Sequence, residues 1–211
     1  MKLYLTKTPR ILQKIFKKYT WRFLMDTKEI YLTFDDGPTP EITNWTLNLL
    51  KEHNAKATFF CIGKNIVNHP EIYQQIIADN HAIGNHTHNH LNGWKHTTEA
   101  YIDNVLSCES VISKEDEKPK LFRPPYGKIK RSQAKKLRGL GYKIILWDVL
   151  SADFDTTISN QKCLDNVLKN ATSGSIVVFH DSLKSTEKLK FVLPKVLDSY
   201  SKKGFLFKAI D

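Results

Sequence analysis

At 211 residues, with 41% hydrophobic and 11% aromatic content, the chain can bury one substantial core, which bounds it to a single domain in the size range of an α/β barrel or doubly wound fold. The formal net charge of +10 is concentrated at the start, where residues 1–28 hold Lys2, Lys7, Arg10, Lys14, Lys17, Lys18, Arg22 and Lys28 against Asp26 alone, eight minus one, or +7. The remainder is near balance without a nucleic-acid reading motif, which excludes nucleic acid as a partner, and three widely spaced cysteines, Cys61, Cys108 and Cys163, exclude a disulfide framework or a zinc ribbon.

Residues 1–28 read as a basic amphipathic leader ahead of a domain spanning 29–211. In the leader, Thr8 is placed to cap a helix with Pro9 at its first position, and Ile11, Leu12, Ile15, Phe16 and Tyr19 recur on one face with lysines opposite. Such a helix either docks on the body of the protein or rests on an anionic membrane or wall polymer. No apolar run reaches the length of a bilayer span and no cleavable signal opens the chain, so cytoplasmic placement is the default expectation, with a membrane-peripheral one beside it. A monomer is expected.

After the leader, strand-like runs alternate with helical patterns. The strands are expected at Ile30 to Phe34, Ala57 to Ile62, His81 to Gly84, Leu121 to Arg123, Tyr142 to Val149, Ser175 to Phe179 and Phe205 to Ile210. Helices are expected after Thr39 and Pro40 (apolar Ile42, Trp45, Leu49, Leu50) and over Glu71 to Ala78, Ala100 to Ile112, Ser132 to Leu140, Cys163 to Asn170 and Leu189 to Tyr200. This alternation predicts an α/β fold, a distorted (β/α) barrel of about seven parallel strands, with its chemistry where strands end and loops begin.

Two polar clusters stand at such ends. The strand "IYLTF" runs straight into Asp35 and Asp36, two like charges that a fold keeps side by side only with a cation or a reaction between them. In "GNHTHNH", His86 and His90 are four residues apart, so on a helical turn both imidazoles face one divalent ion, while His88 points elsewhere. One carboxylate and two imidazoles leave positions open for water and a substrate oxygen, a mixed set that suits Zn²⁺.

In order, "TFDDG" (Thr33 to Gly37), "HTHNH" (His86 to His90), "RPPYG" (Arg123 to Gly127) and "VVFHD" (Val177 to Asp181) resemble the polysaccharide deacetylases, carbohydrate esterase family four, from about Ile30 to Ile210. The resemblance implies metal-dependent hydrolysis of acetyl groups on N-acetylhexosamine units of a peptidoglycan- or chitin-type glycan. It implies Asp36, His86 and His90 as ligands of a divalent ion, most simply Zn²⁺, and Asp35 as general base toward the attacking water. Arg123 would hold Asp35 by a charge-assisted bond, and the Tyr126 backbone N–H would meet the tetrahedral oxyanion. His180 matches the general acid that protonates the leaving amine, oriented by Asp153.

The match loosens in "WDVLSADF", where Leu150 replaces an aspartate and Phe154 a tryptophan found in many relatives. Phe154 and Val178 then flank a small acetyl pocket, and Pro125, Tyr126 and Trp94 are candidates for bordering the sugar. Trp45 and Trp147 read as core. Two rival functions are an O-acetyl esterase on a polymer such as xylan and, in a different class, a catalytically silent glycan-binding protein.

Overall fold

The computed structural model describes residues 4–24, 26–112 and 119–210; the first three residues of the leader, with Lys2, and Asp211 at the end of the domain lie outside the described residues. Among the described residues, eight strands form one sheet: β1 (Glu29–Asp35), β2 (Ala57–Cys61), β3 (Ala82–Asn85), β4 (Lys120–Phe122), β5 (Tyr142–Ile144), β6 (Val149–Leu150), β7 (Ser175–His180) and β8 (Leu206–Phe207). Every ladder is parallel and the order is β5-β4-β3-β2-β1-β7-β6, with β8 added beside β1. Helices α1 (Arg10–Ile15), α2 (Ile42–Glu52), α3 (Gly63–Asn68), α4 (Pro70–Ala78), α5 (Thr98–Glu109), α6 (Arg131–Gly139), α7 (Asn160–Leu168) and α8 (Thr186–Lys202) complete the α/β pattern. Among the described residues, no helix is long and apolar enough to cross a membrane.

Strand β1 shows how the sequence divides the core. Its alternate residues Ile30, Leu32 and Phe34 pack with α2, α7 and α8 in the largest apolar cluster. The opposite face carries Tyr31 into a second cluster with Phe60, Leu121, Ile145, Ile176 and Ile210, and carries Thr33 and Asp35 onto Arg123. Period-two alternation thus puts helix contacts outside and a filled interior within.

The run Tyr142 to Val149, expected as one strand, is two. Arg123 donates through Nε to the Ile145 carbonyl at 3.3 Å and through Nη2 to the Leu146 carbonyl at 3.2 Å, which removes the acceptors a continuing ladder would use. The halves β5 and β6 end up at opposite ends of the strand order. Because the connection from Ile144 to Val149 can reach no more than about 17 Å, the sheet must curl until its ends nearly meet.

Residues 6–22 line this seam. Lys7 bridges Val149 antiparallel, Thr20 bridges Ile145 parallel, and Arg22 bridges Ser175 antiparallel. Lys7 Nζ also pairs with the fully buried Asp148 at 2.9 Å and donates to the Asn170 carbonyl at 2.8 Å. Thr8 does not cap α1: its hydroxyl donates to the Trp147 carbonyl and its N–H to the Asp148 carbonyl, both at 2.8 Å, and Pro9 takes the cap position instead. Docking therefore uses the segments flanking the helix, and of the apolar side chains of α1 Leu12 is half-buried while Ile11 and Ile15 stay in solvent, 67% and 63% exposed.

Candidate active site

Strands β1 and β7 end in register, with Asp35 paired to His180. Asp35 is buried and its Oδ1 accepts from Arg123 Nη1 at 2.7 Å. The same Nη1 donates to Thr33 Oγ1 at 2.7 Å, and the guanidinium lies 4.1 Å from the Phe60 ring centre and 5.8 Å from that of Trp147. With its bonds to the Ile145 and Leu146 carbonyls, Arg123 thus serves four acceptors, and the side chain is wholly buried. Burial lowers its pKa while the Asp35 carboxylate opposes that shift.

Asp36 turns away from its neighbour because the backbone enters the left-handed region at φ 82°. Its carbonyl accepts from Asn65 Nδ2 at 2.7 Å. Its Oδ1 lies 3.2 Å from His90 Nε2 and 3.7 Å from His86 Nε2, and ligand atoms of all three residues fall within 4.8 Å of one another. That Oδ1 is buried without an aligned hydrogen-bond partner. Burial alone would raise the Asp36 pKa, but His90, His180 and His86 outweigh it and hold the carboxyl below the usual carboxylate range.

His86 donates its Nδ1–H to the Arg123 carbonyl at 2.8 Å, which fixes its ring and leaves Nε2 facing Asp36. Burial lowers its pKa to about 4, so the imidazole is neutral and able to ligate. An ionised acid with an orphaned buried oxygen and two imidazoles around it fits a divalent cation.

The two histidines are not on a helical turn. They follow β3 in a loop where Thr87 and His90 take left-handed backbone, at φ 64° and 54°, and where Asn104 Oδ1 accepts the N–H groups of His88 and Asn89 at 3.0 Å each. The Thr87 hydroxyl accepts the Leu91 N–H at 3.0 Å. Side-chain caps therefore replace the helical i to i+4 bonds, and the spacing brings both rings to one ion by a different backbone path.

His180 is gripped twice by Asp153, through its N–H to Oδ2 at 2.7 Å and through Nδ1 to Oδ1 at 2.8 Å. Burial pushes the imidazole pKa down, but the Asp153, Asp36 and Asp35 carboxylates overcome this and raise it to about 9. Next to it, Asp181 accepts the Gly37 N–H at 3.1 Å and the Thr43 hydroxyl. A Cβ on Gly37 would stand 2.0 Å from Asp181 Oδ2, so the glycine of "TFDDG" and the aspartate of "VVFHD" require each other.

These groups open into one cavity of about 830 Å³, lined by Asp35, Asp36, His86, His90 and His180 together with Tyr126, Phe154 and Val178. The Tyr126 ring stands 4.6 Å from the His90 ring on a tight turn with φ 60° at Tyr126. Phe154 meets His180 edge-on at 5.1 Å. Trp94 is not in the cavity wall: its indole N–H donates to the Ile129 carbonyl at 3.2 Å and Lys128 covers its ring at 5.3 Å. Pro125, Arg123 and Asp153 sit behind the wall. Sequence reasoning missed Tyr4, Asn65, Leu183 and Lys184 at the cavity, and it read Trp147 as core although that ring lines the opening as well.

The polysaccharide deacetylase family model matches residues 24–145. A peptidoglycan-N-acetylglucosamine deacetylase of Bacillus cereus is 34% identical over 192 residues, covering 90% of this chain and 90% of that protein. The peptidoglycan-N-acetylmuramic acid deacetylase PdaA of Bacillus subtilis is 31% identical over 208 residues, 95% of this chain and 77% of the relative. A crystal structure of a peptidoglycan N-acetylglucosamine deacetylase superposes with a TM-score of 0.87 at 32% identity, over 96% of this chain and 95% of that one. Likeness that runs through both sequence and backbone over nine-tenths or more of the chain settles its membership: the protein belongs to the polysaccharide deacetylase family.

Proposed function

We propose that the protein hydrolyses acetyl groups from N-acetylhexosamine units of a peptidoglycan- or chitin-type glycan. The observation that carries this reading is the convergence, in one cavity, of the Asp36, His86 and His90 ligand set with the Arg123–Asp35 and Asp153–His180 pairs. Asp36, His86 and His90 would hold a divalent ion, zinc by their mixed nitrogen and oxygen donors, which would supply Lewis acidity and lower the pKa of water.

The residues of the chain do the rest. Asp35, oriented by Arg123, takes a proton from the attacking water as its oxygen bonds the acetyl carbon. The Tyr126 N–H would donate to the oxyanion. His180 delivers its Nε2 proton to the leaving nitrogen as the C–N bond breaks, giving acetate and a free amine, while Asp153 keeps Nδ1 engaged. Phe154 and Val178 flank the acetyl methyl group.

Acetate release from N-acetylglucosamine oligomers of graded length and from acetylated xylan, by metal-stripped and zinc-restored protein, tests the reading. Zinc-dependent release from the amide substrates supports it. Release from xylan alone turns it into an O-acetyl esterase, and glycan binding without release turns it into a binding protein.

His180 carries a pH expectation. In metal-free protein its ring is expected to titrate near pH 9 when followed by NMR, cationic below that pH and neutral above it. Asp153→Asn removes the leading carboxylate, so that titration and the alkaline limb of kcat both move to lower pH by about one unit or more. An unmoved titration would remove Asp153 from the orienting role.

The exposed Ile11 and Ile15 beside Arg10, Lys14, Lys17 and Lys18 support a peripheral contact of α1 with an anionic surface. Ile11→Ser with Ile15→Ser is expected to weaken retention on phosphatidylglycerol vesicles; equal retention would dismiss the contact.

A further inference from the structure

The amino-terminal segment reaches the cavity itself. Tyr4 lines it, half-buried, beside Leu150 and Phe154. Its ring meets Phe154 edge-on at 5.5 Å, and Phe154 in turn meets His180 at 5.1 Å. Its hydroxyl donates to the buried Asp155 at 2.7 Å, which fixes the ring from the far side.

Strong anchors stand directly behind it. The Thr6 carbonyl accepts the Leu150 N–H at 2.9 Å, Lys7 bridges Val149, and the Lys7 ammonium is paired to buried Asp148. Residues 6–8 therefore act as an extra edge on β6, and Tyr4 is carried to the cavity by hydrogen-bonded backbone.

Two apolar side chains, Leu150 and Phe154, line the cavity at this position, and Tyr4 stands against Phe154. The result is an apolar wall on the His180 side of the cavity. From this geometry we infer that Tyr4 is a specificity-determining residue that packs against the C–H face of a sugar ring of the bound N-acetylated glycan. An aromatic ring already held at its edge and at its hydroxyl gives up little freedom on binding, and its uncharged face suits pyranose C–H surface. The inference rests on the glycan reading of the same site.

Calorimetric titration of metal-stripped protein with N-acetylglucosamine tetramer separates binding from turnover. Tyr4→Ala is expected to weaken Kd about tenfold, the size of one aromatic contact, while Tyr4→Phe keeps most of the affinity. KM of the zinc-restored enzyme should follow Kd with kcat nearly unchanged. Unchanged Kd in Tyr4→Ala would overturn the inference, and so would equal losses in both variants, which would assign the effect to the Asp155 bond. A fall in kcat alone would overturn it too, since Tyr4 would then act through Phe154 on His180. Wild-type protein that binds the tetramer without releasing acetate refutes the deacetylase reading and leaves the wall standing; wild-type protein that binds no tetramer overturns the wall.

Discussion

Asp35→Asn is expected to lower kcat for acetate release about 10²- to 10⁴-fold, the range for loss of a positioned general base. The substitution is nearly isosteric, and Arg123 Nη1 can still donate to the remaining side-chain oxygen, so the fold persists. It also leaves the ion site intact, because Asp36, His86 and His90 approach one another without help from the Asp35 side chain. Metal content after dialysis against zinc should equal that of the wild type, whereas Asp36→Asn should lose the ion. Kinetics and metal analysis on the two variants thus separate adjacent acids of opposite duty. Retention of more than about a tenth of wild-type kcat in Asp35→Asn would move the base elsewhere.

Arg123→Met should be the costliest single change to the fold, destabilising it by about 3–5 kcal/mol, as expected when one partner of a buried ion pair is removed. The methionine fills much of the volume but strands the Asp35 carboxylate, the Thr33 hydroxyl and the carbonyls of Ile145 and Leu146. Lysine does not rescue the site, since one ammonium cannot serve a fork of four acceptors or lie flat on Phe60. Urea denaturation of Arg123→Met, Asp35→Asn and the double variant gives the coupling directly. The double variant should be more stable than the sum of the two losses implies, because Asp35→Asn removes the stranded charge. Strict additivity would mean that the pair does not act as a unit.

Much of this architecture could be read from residue order. Apolar runs at regular intervals predicted parallel strands, and the alternation within β1 already separated Ile30, Leu32 and Phe34 from Thr33 and Asp35. Asp35, Asp36, His86 and His90 were legible because they cluster where strands end and polar residues have no packing reason to follow an apolar run, whereas Arg123 stood out only through the family resemblance of "RPPYG". The break after Ile144 was not, since it depends on hydrogen bonds from an arginine distant in sequence. Short α3 lacks the length to show a period. Thr8 looks like a helix cap in sequence, yet a tertiary partner, the Trp147 carbonyl, claims its hydroxyl. Tyr4 was invisible for a related reason: nothing local marks a residue whose role depends on an edge pairing with β6.

The register of β1 against β7 has a further consequence. Asp35 and His180, the acceptor and donor of protons in the proposed reaction, stand on facing positions of neighbouring strands, so their backbones are held about 4.8 Å apart by the ladder that joins β1 to β7. Sliding one strand by a single position would turn its Asp35 or His180 side chain to the outer face, so the separation cannot drift by small steps. The span between the atom receiving hydroxide and the atom releasing its bond is likewise set by covalent chemistry. Substrate choice can therefore diverge in the rim, at Tyr4, Leu183 and Lys184, while the proton-moving centre stays constant, and evolution within this scaffold should rewrite the loops long before it touches the ladder.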